Sequence, residues 1–218
     1  MEMLKLNDDI KSWAVDELKK LVRIPSISFP HFDPKQVSRS GEAVADLLKR
    51  SGFQNIEILR IRESFPYVVG DYMVDPAAPT VLLYAHHDVQ PPGREELWKT
   101  PPFEPTEING RLYGRGTADD KAGIMVHAAA IRHYVNSSLK LPVNLKVIIE
   151  GEEEVGSDHL LEFLETYRER LKSDVIVVTD TANIDSGVPS LTTSLRGLVV
   201  CEVEVKSFKA PLHSGMWG

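Results

Sequence analysis

Residues 81–93 read VLLYAHHDVQPPG. The run is apolar at every position through Ala85, which predicts a strand covered on both faces, as in a sheet with helices on each side. Successive side chains of a strand point to opposite faces, and residues two apart share one. His86 and Asp88 therefore look the same way, and His87 looks the other. An aspartate opening a turn after a strand is ordinary chain chemistry, so the meaning of the doublet depends on what else gathers beside it.

Outward from this strand the chain alternates. Apolar positions from Asp8 to Val22 fall at helical spacing, with Asp8 or Asp9 available to cap the start. The segment PSISFPHFDPKQ reads as a loop, and helical period returns from Gly41 to Arg50. Strands are predicted at 54–62, 67–74 and 80–86. A long loop rich in Pro and Gly follows from 91 to 110, of a length that is often functional. Beyond it the pattern predicts a helix over 121–135, a strand over 143–150, a helix over 157–171, a buried strand over 175–179 and an edge-like alternation over 190–206. The fold class is α/β, with a mostly parallel central sheet and helices on both faces.

Composition narrows the function. A net charge of −7 and the lack of a basic cluster argue against a nucleic-acid partner. One cysteine, Cys201, allows neither an internal disulfide nor a thiolate metal cage, so a metal site would be built from His, Asp and Glu. The N-terminal stretch has no apolar signal core and no run reaches membrane-spanning length. A soluble, cytoplasmic protein without membrane contact is the expectation.

Four groups of possible ligands stand where strands end or helices begin: His86 with Asp88, Asp119-Asp120, Glu152-Glu153-Glu154, and Asp180. Each alone has a plainer reading as a turn former, helix cap or solvated acidic face. In a mostly parallel sheet, however, the carboxyl ends of the strands line one crevice, where distant residues meet. Clustered carboxylates repel unless a cation compensates them, and a pair of divalent ions is a usual solution. Histidine and carboxylates without thiolate suit zinc, manganese or cobalt.

At these residues the sequence resembles the M20 family of co-catalytic metallopeptidases, which spans carnosinase-like dipeptidases, carboxypeptidase G-type enzymes and acetylornithine and succinyl-diaminopimelate deacylases. The matching stretches are AHHDVQPPG (85–93), LYGRGTADDKAG (112–123), EGEEEVGS (150–157), VTD (178–180) and APLHSG (210–215). The wording is nearest the dipeptidase branch. The resemblance implies a zinc-exopeptidase-like catalytic domain over 1–206, with 207–218 beginning a lid and dimerisation domain whose remainder is absent. It makes His86, Asp119 and Asp180 ligands of one metal, Asp119 the bridge, and Glu154 a ligand of the second.

The same resemblance makes Asp88 the group orienting His86, Glu153 the general base, and His213 a substrate-binding residue. Asp120 is expected to cap the next helix, and Glu152 drops out as a variable surface position. The implied reaction is hydrolysis of an amide bond in dipeptides or similar small aminoacyl substrates, with two divalent metals, zinc first. The implied full-length parent is a homodimer. Deacylation of N-acyl amino acids on the same scaffold is the rival. A noncatalytic fragment is the other alternative, since the final histidine ligand of the family finds no match here.

Overall fold

A computed structural model describes residues 7–137, 139–185, 187–205, 213 and 215. The chain divides into two compact units, Met1–Thr181 and Ala182–Gly218. The first unit opens with helix α1 (Asp8–Val22), capped by the side chain of Asn7, which accepts from the Ile10 N–H at 2.8 Å, rather than by either aspartate. Helix α2 (Pro34–Ser51) starts seven residues before the expected Gly41. Asp33 accepts from the Lys35 N–H at 3.0 Å and Pro34 occupies the first turn, where its missing N–H costs nothing.

Strands β1 (Gln54–Leu59), β2 (Tyr67–Tyr72) and β3 (Thr80–His86) follow. A hairpin starts inside the expected loop over 91–110 and ends just past it, β4 (Thr106–Ile108) with β5 (Arg111–Tyr113). Its turn is Asn109-Gly110, both with positive φ (52° and 72°), the conformation a tight two-residue hairpin demands. Helix α3 (Lys121–Val135), strand β6 (Asn144–Glu150), helices α4 (Leu160–Thr166) and α5 (Arg168–Leu171) and strand β7 (Val175–Val178) complete the unit. The expected helix over 157–171 is thus two short ones beginning at Leu160.

The main sheet has the order β1-β2-β6-β3-β7. β3 runs parallel to both β6 and β7, while β1–β2 and β2–β6 are antiparallel, so the sheet is mixed, with its parallel part where the site lies. Helices cover both faces. Leu21, Leu47, Leu48, Ile124 and Ile131 of α1–α3 pack on Val68, Leu83, Val147 and Ile149. Phe163 and Leu171 pack on Tyr67, Val69, Leu82 and Ile148, the alternate residues of the same strands. Each such side chain contributes about 1.5–3 kcal/mol by leaving water.

Two expectations are corrected. β7 is not buried: it forms the sheet edge, and its four residues are 38–63% exposed. An apolar run marks faces fit for burial, and its cover is decided by topology. In the second unit no strand forms across the described part of 190–206, residues 190–205, and the side chains of 191–205 are exposed. Alternation supplies a face, but a strand also needs a neighbouring backbone to pair with. Residues 206–212, 214 and 216–218 lie outside the described residues, and with them most of the expected second domain. Among the described residues no helix is long and apolar enough to cross a membrane.

Candidate metal centre

Register builds the site. β3 and β6 pair so that His86 stands opposite Glu150, and the His87 N–H donates to the Glu150 carbonyl at 2.7 Å. The two strands therefore release their loops side by side. β7 stops beside Tyr84, where the Thr179 N–H donates to the Tyr84 carbonyl at 3.2 Å, so Asp180 emerges at the same edge. α3 begins there too, preceded by Asp119 and Asp120.

The His86 ring is fully buried. Its Nδ1 lies 3.3 Å from Asp88 Oδ1 and 3.1 Å from the Asp88 carbonyl. Its Nε2 faces Asp119 Oδ1 at 3.1 Å, Asp180 Oδ2 at 3.7 Å and Glu153 Oε2 at 3.8 Å. Two sets of ligand atoms, His86 with Asp119 and Asp180 and His86 with Glu153 and Glu154, each fall within 4.8 Å of one another. Glu154 is steadied by Gln90, whose backbone N–H and side-chain amide donate to its two oxygens at 3.2 and 2.7 Å.

Asp88 is the hub. Its buried carboxylate accepts from the Ser28 hydroxyl at 2.7 Å, the Glu153 N–H at 3.2 Å and the Glu154 N–H at 3.1 Å while it faces the His86 ring. One group thereby fixes the imidazole and the segment bearing both glutamates. Burial opposes its charge, but the His86 hydrogen bond and charge and the Ser28 hydroxyl hold Asp88 below the usual carboxylate range.

Burial likewise opposes protonation of His86, yet the Asp88 hydrogen bond and charge, with Asp120 and Glu153 nearby, push it up to about 10. Burial, joined by Asp180, raises Glu153 against the pull of His86, and burial also raises Glu154. This is the test of fit for a divalent ion. With Nδ1–H donating to Asp88, the Nε2 lone pair of a neutral ring points at carboxylate oxygens, an arrangement that requires a cation between them or a proton on the ring. The donor set, imidazole and carboxylates without thiolate, fits zinc, manganese or cobalt.

His87 is its opposite. It is fully buried on the other side, its Nε2–H donates to the Pro66 carbonyl at 3.0 Å, and burial lowers it to about 4. Gly151 is the only residue type that fits against it, since a Cβ there would sit 2.6 Å from the Pro66 carbonyl and 2.8 Å from His87 Nε2. Asp120 occupies the position before α3, but its side chain makes no cap. Instead its Oδ2 accepts from the His86 N–H at 3.1 Å, and burial raises the carboxyl to about 7 against the pull of His86. The cap expectation fails because the strand end offers that buried oxygen a donor of its own.

Glu152 is no surface position. It is buried and accepts from Tyr67, Phe65 and His159. Lys121 is also fully buried and donates from Nζ to the carbonyls of Leu21 and Ile24, tying the start of α3 to the end of α1. His127 Nε2 stands 3.0 Å from the Tyr84 carbonyl and 2.9 Å from Thr179 Oγ1, beside Asp180. His213 belongs to the second unit, is exposed, and accepts from the Gly215 N–H at Nδ1. Nothing in a single sequence announces the parts played by Ser28, Lys121 or Glu152, although Gln90, Lys121 and Glu152 all stand within stretches already singled out.

A mixed sheet with helices on both faces and a carboxylate-ringed imidazole at its parallel strand ends defines an α/β protein whose donor set could hold divalent ions. The chain belongs to peptidase family M20/M25/M40, whose profile matches residues 82–214. It is 33% identical to the Cys-Gly metallodipeptidase dug1 of Schizosaccharomyces pombe over 229 residues, covering 100% of this chain and 48% of that protein. It is 36% identical to the Beta-Ala-His dipeptidase of Homo sapiens, over 94% of this chain and 43% of that one. The crystal structure of human carnosine dipeptidase 1 superposes with a TM-score of 0.74 at 33% identity, over 81% of this chain and 40% of that chain. The chain thus spans about half the length of the curated relatives it matches.

Proposed function

We propose that the intact protein is a dipeptidase that uses divalent metal ions, zinc first and manganese or cobalt next, to hydrolyse small peptides. The observation that carries this reading is the His86 ring, held through Nδ1 by Asp88 while Nε2 faces Asp119, Asp180 and Glu153 within 3.8 Å. His86, Asp119 and Asp180 would hold one ion, and Asp119 and Glu154 the other. Bound there, the ions would polarise the scissile carbonyl and lower the pKa of a water towards about 7.

The chain's own groups do the rest. Glu153, half-buried and raised in pKa, takes the proton as water oxygen adds to the carbonyl carbon. It returns that proton to the amide nitrogen as the C–N bond breaks, and the second water proton passes from the new carboxyl to the amine, leaving a carboxylate and an ammonium group. Asp88 keeps the imidazole in one orientation throughout. Resemblance to the family adds His213 as a donor to the substrate, a catalytic domain over 1–206, a second domain beginning at 207, and a homodimer working in the cytoplasm. The names of the relatives favour dipeptides over N-acyl amino acids.

The test loads the intact protein with zinc, manganese or cobalt and measures release of amino acids from dipeptides and from N-acetyl and N-succinyl amino acids. Dipeptide turnover that falls about 10³-fold in Glu153→Gln with metal content unchanged is expected. Faster turnover of the N-acyl substrates would make the protein a deacylase, and failure to bind a divalent ion would end the reading.

A further inference from the structure

We propose that Glu152 is a positioning residue, a buried clamp that fixes the turn carrying Glu153 and Glu154 to the start of β2 and the start of α4. Among the three consecutive glutamates it alone is buried, and its neighbours are only half so. Its carboxylate is met by donors alone. The Tyr67 hydroxyl reaches Oε1 at 2.7 Å, the Phe65 N–H reaches Oε2 at 3.2 Å, and the His159 N–H reaches Oε1 at 3.1 Å. The His159 ring adds Nδ1 at 3.1 and 3.2 Å from the two oxygens.

An ionised carboxylate is an acceptor only, and charged hydrogen bonds are the stronger kind, so this set suits Glu and no neutral isostere. The backbone of the same residue continues the clamp, because the Glu152 carbonyl accepts from the Val155 and Ser157 N–H groups at 3.3 and 3.0 Å. The short 3-10 turn Glu153–Val155 is thus tied on one side by Glu152 and on the other by Asp88, which takes its first two N–H groups. Phe163 of α4 stacks on the Tyr67 ring with centroids 4.0 Å apart, so the segments that supply the donors are packed on each other. Two carboxylates meant to act at fixed points need such a frame, since small displacements of reacting groups cost rate steeply.

The inference rests on the proposed hydrolysis for its kinetic readout and stands apart from it for its spectroscopic one. Glu152→Gln keeps the shape but turns an NH2 towards groups that are themselves donors. In the intact, metal-loaded protein kcat is expected to fall about 10-fold with KM within about twofold and the metal content unchanged. The visible absorption bands of the cobalt-substituted protein should shift. In the metal-free protein the amides of 153–157 should exchange with deuterium about 10-fold faster, with those of β3 and β6 unchanged.

Tyr67→Phe, which removes one donor, should move each readout the same way by less, and the double variant should be no worse than Glu152→Gln alone. Should Glu152→Gln not fold, Tyr67→Phe decides by the same readouts. Unchanged bands and exchange in the folded variant, or strictly additive effects, overturn the clamp. A wild-type protein that binds cobalt but cleaves no peptide overturns the proposed function instead, and the exchange measurement still tests Glu152.

Discussion

On one side of the end of β3 the His86 ring meets the carboxylates of Asp88, Asp119, Asp180 and Glu153; on the other the His87 ring meets the Pro66 carbonyl and Gly151. Both rings are buried, and burial pushes both towards the neutral form. Anionic neighbours reverse that push for His86, to about 10, and Asp88 only softens it for His87, at about 4. Chemistry at this strand end thus depends on the company each ring keeps, since residue type and burial are the same.

The largest test breaks the symmetry of the pair. His86→Ala should weaken divalent-metal binding by at least about 10³-fold, beyond the roughly 10–100-fold that loss of an outer partner costs, whereas His87→Ala should leave it within about threefold. Titration calorimetry with zinc or cobalt measures both. Equal losses would mean that the two sides are not distinct.

The next test sharpens the other side. A histidine depressed to about 4 binds no proton in the folded protein where the unfolded chain, at 6.5, does. His87 therefore contributes stability that is fully present above 6.5 and lost as pH falls through 6.5 to 4. Between pH 7 and 5 that loss is about 2 kcal/mol. Glu150, raised to about 7 by burial, acts in reverse and gains as pH falls from 7 to 4.5. The comparison is therefore made with His87→Gln: urea unfolding at both pH values should show the wild type losing about 2 kcal/mol more than the variant.

The smallest test returns to the His86 side. Ser28→Ala removes one of the donors to Asp88 and should weaken metal binding by about 10-fold or less, with stability nearly unchanged. A loss as large as that of His86→Ala would make Ser28 far more than a support for Asp88.

The strands and helices that bury regular faces were legible in the sequence. β3 spans the seven residues expected of it, 80–86, β6 falls within one residue of its pattern, and α1 and α3 match theirs. Two local signals mark boundaries that hydrophobic periodicity does not: Asp33-Pro34 at the start of α2, and Asn109-Gly110 between β4 and β5. β7 and 190–205 teach a different limit, because periodicity describes a side chain's preference and leaves its partner unspecified. At the site, His86, Asp119, Glu153, Glu154 and Asp180 do converge. Glu152 and Asp120 depart from expectation for one reason. In an acidic run, identity and order are visible, but which carboxylate turns inward depends on donors more than thirty residues away, such as Tyr67 and the His86 N–H.

The pairing of His86 with Glu150 makes β3 a counting device. Because the side-chain period is two, deleting or inserting one residue between Thr80 and Ala85 would exchange the two histidines, turning His87 to the acidic crevice and His86 to the dry pocket. The composition of the strand can drift among apolar residues with modest cost. Its length cannot, and any engineering of this protein has to treat β3 as a ruler whose divisions are already spent.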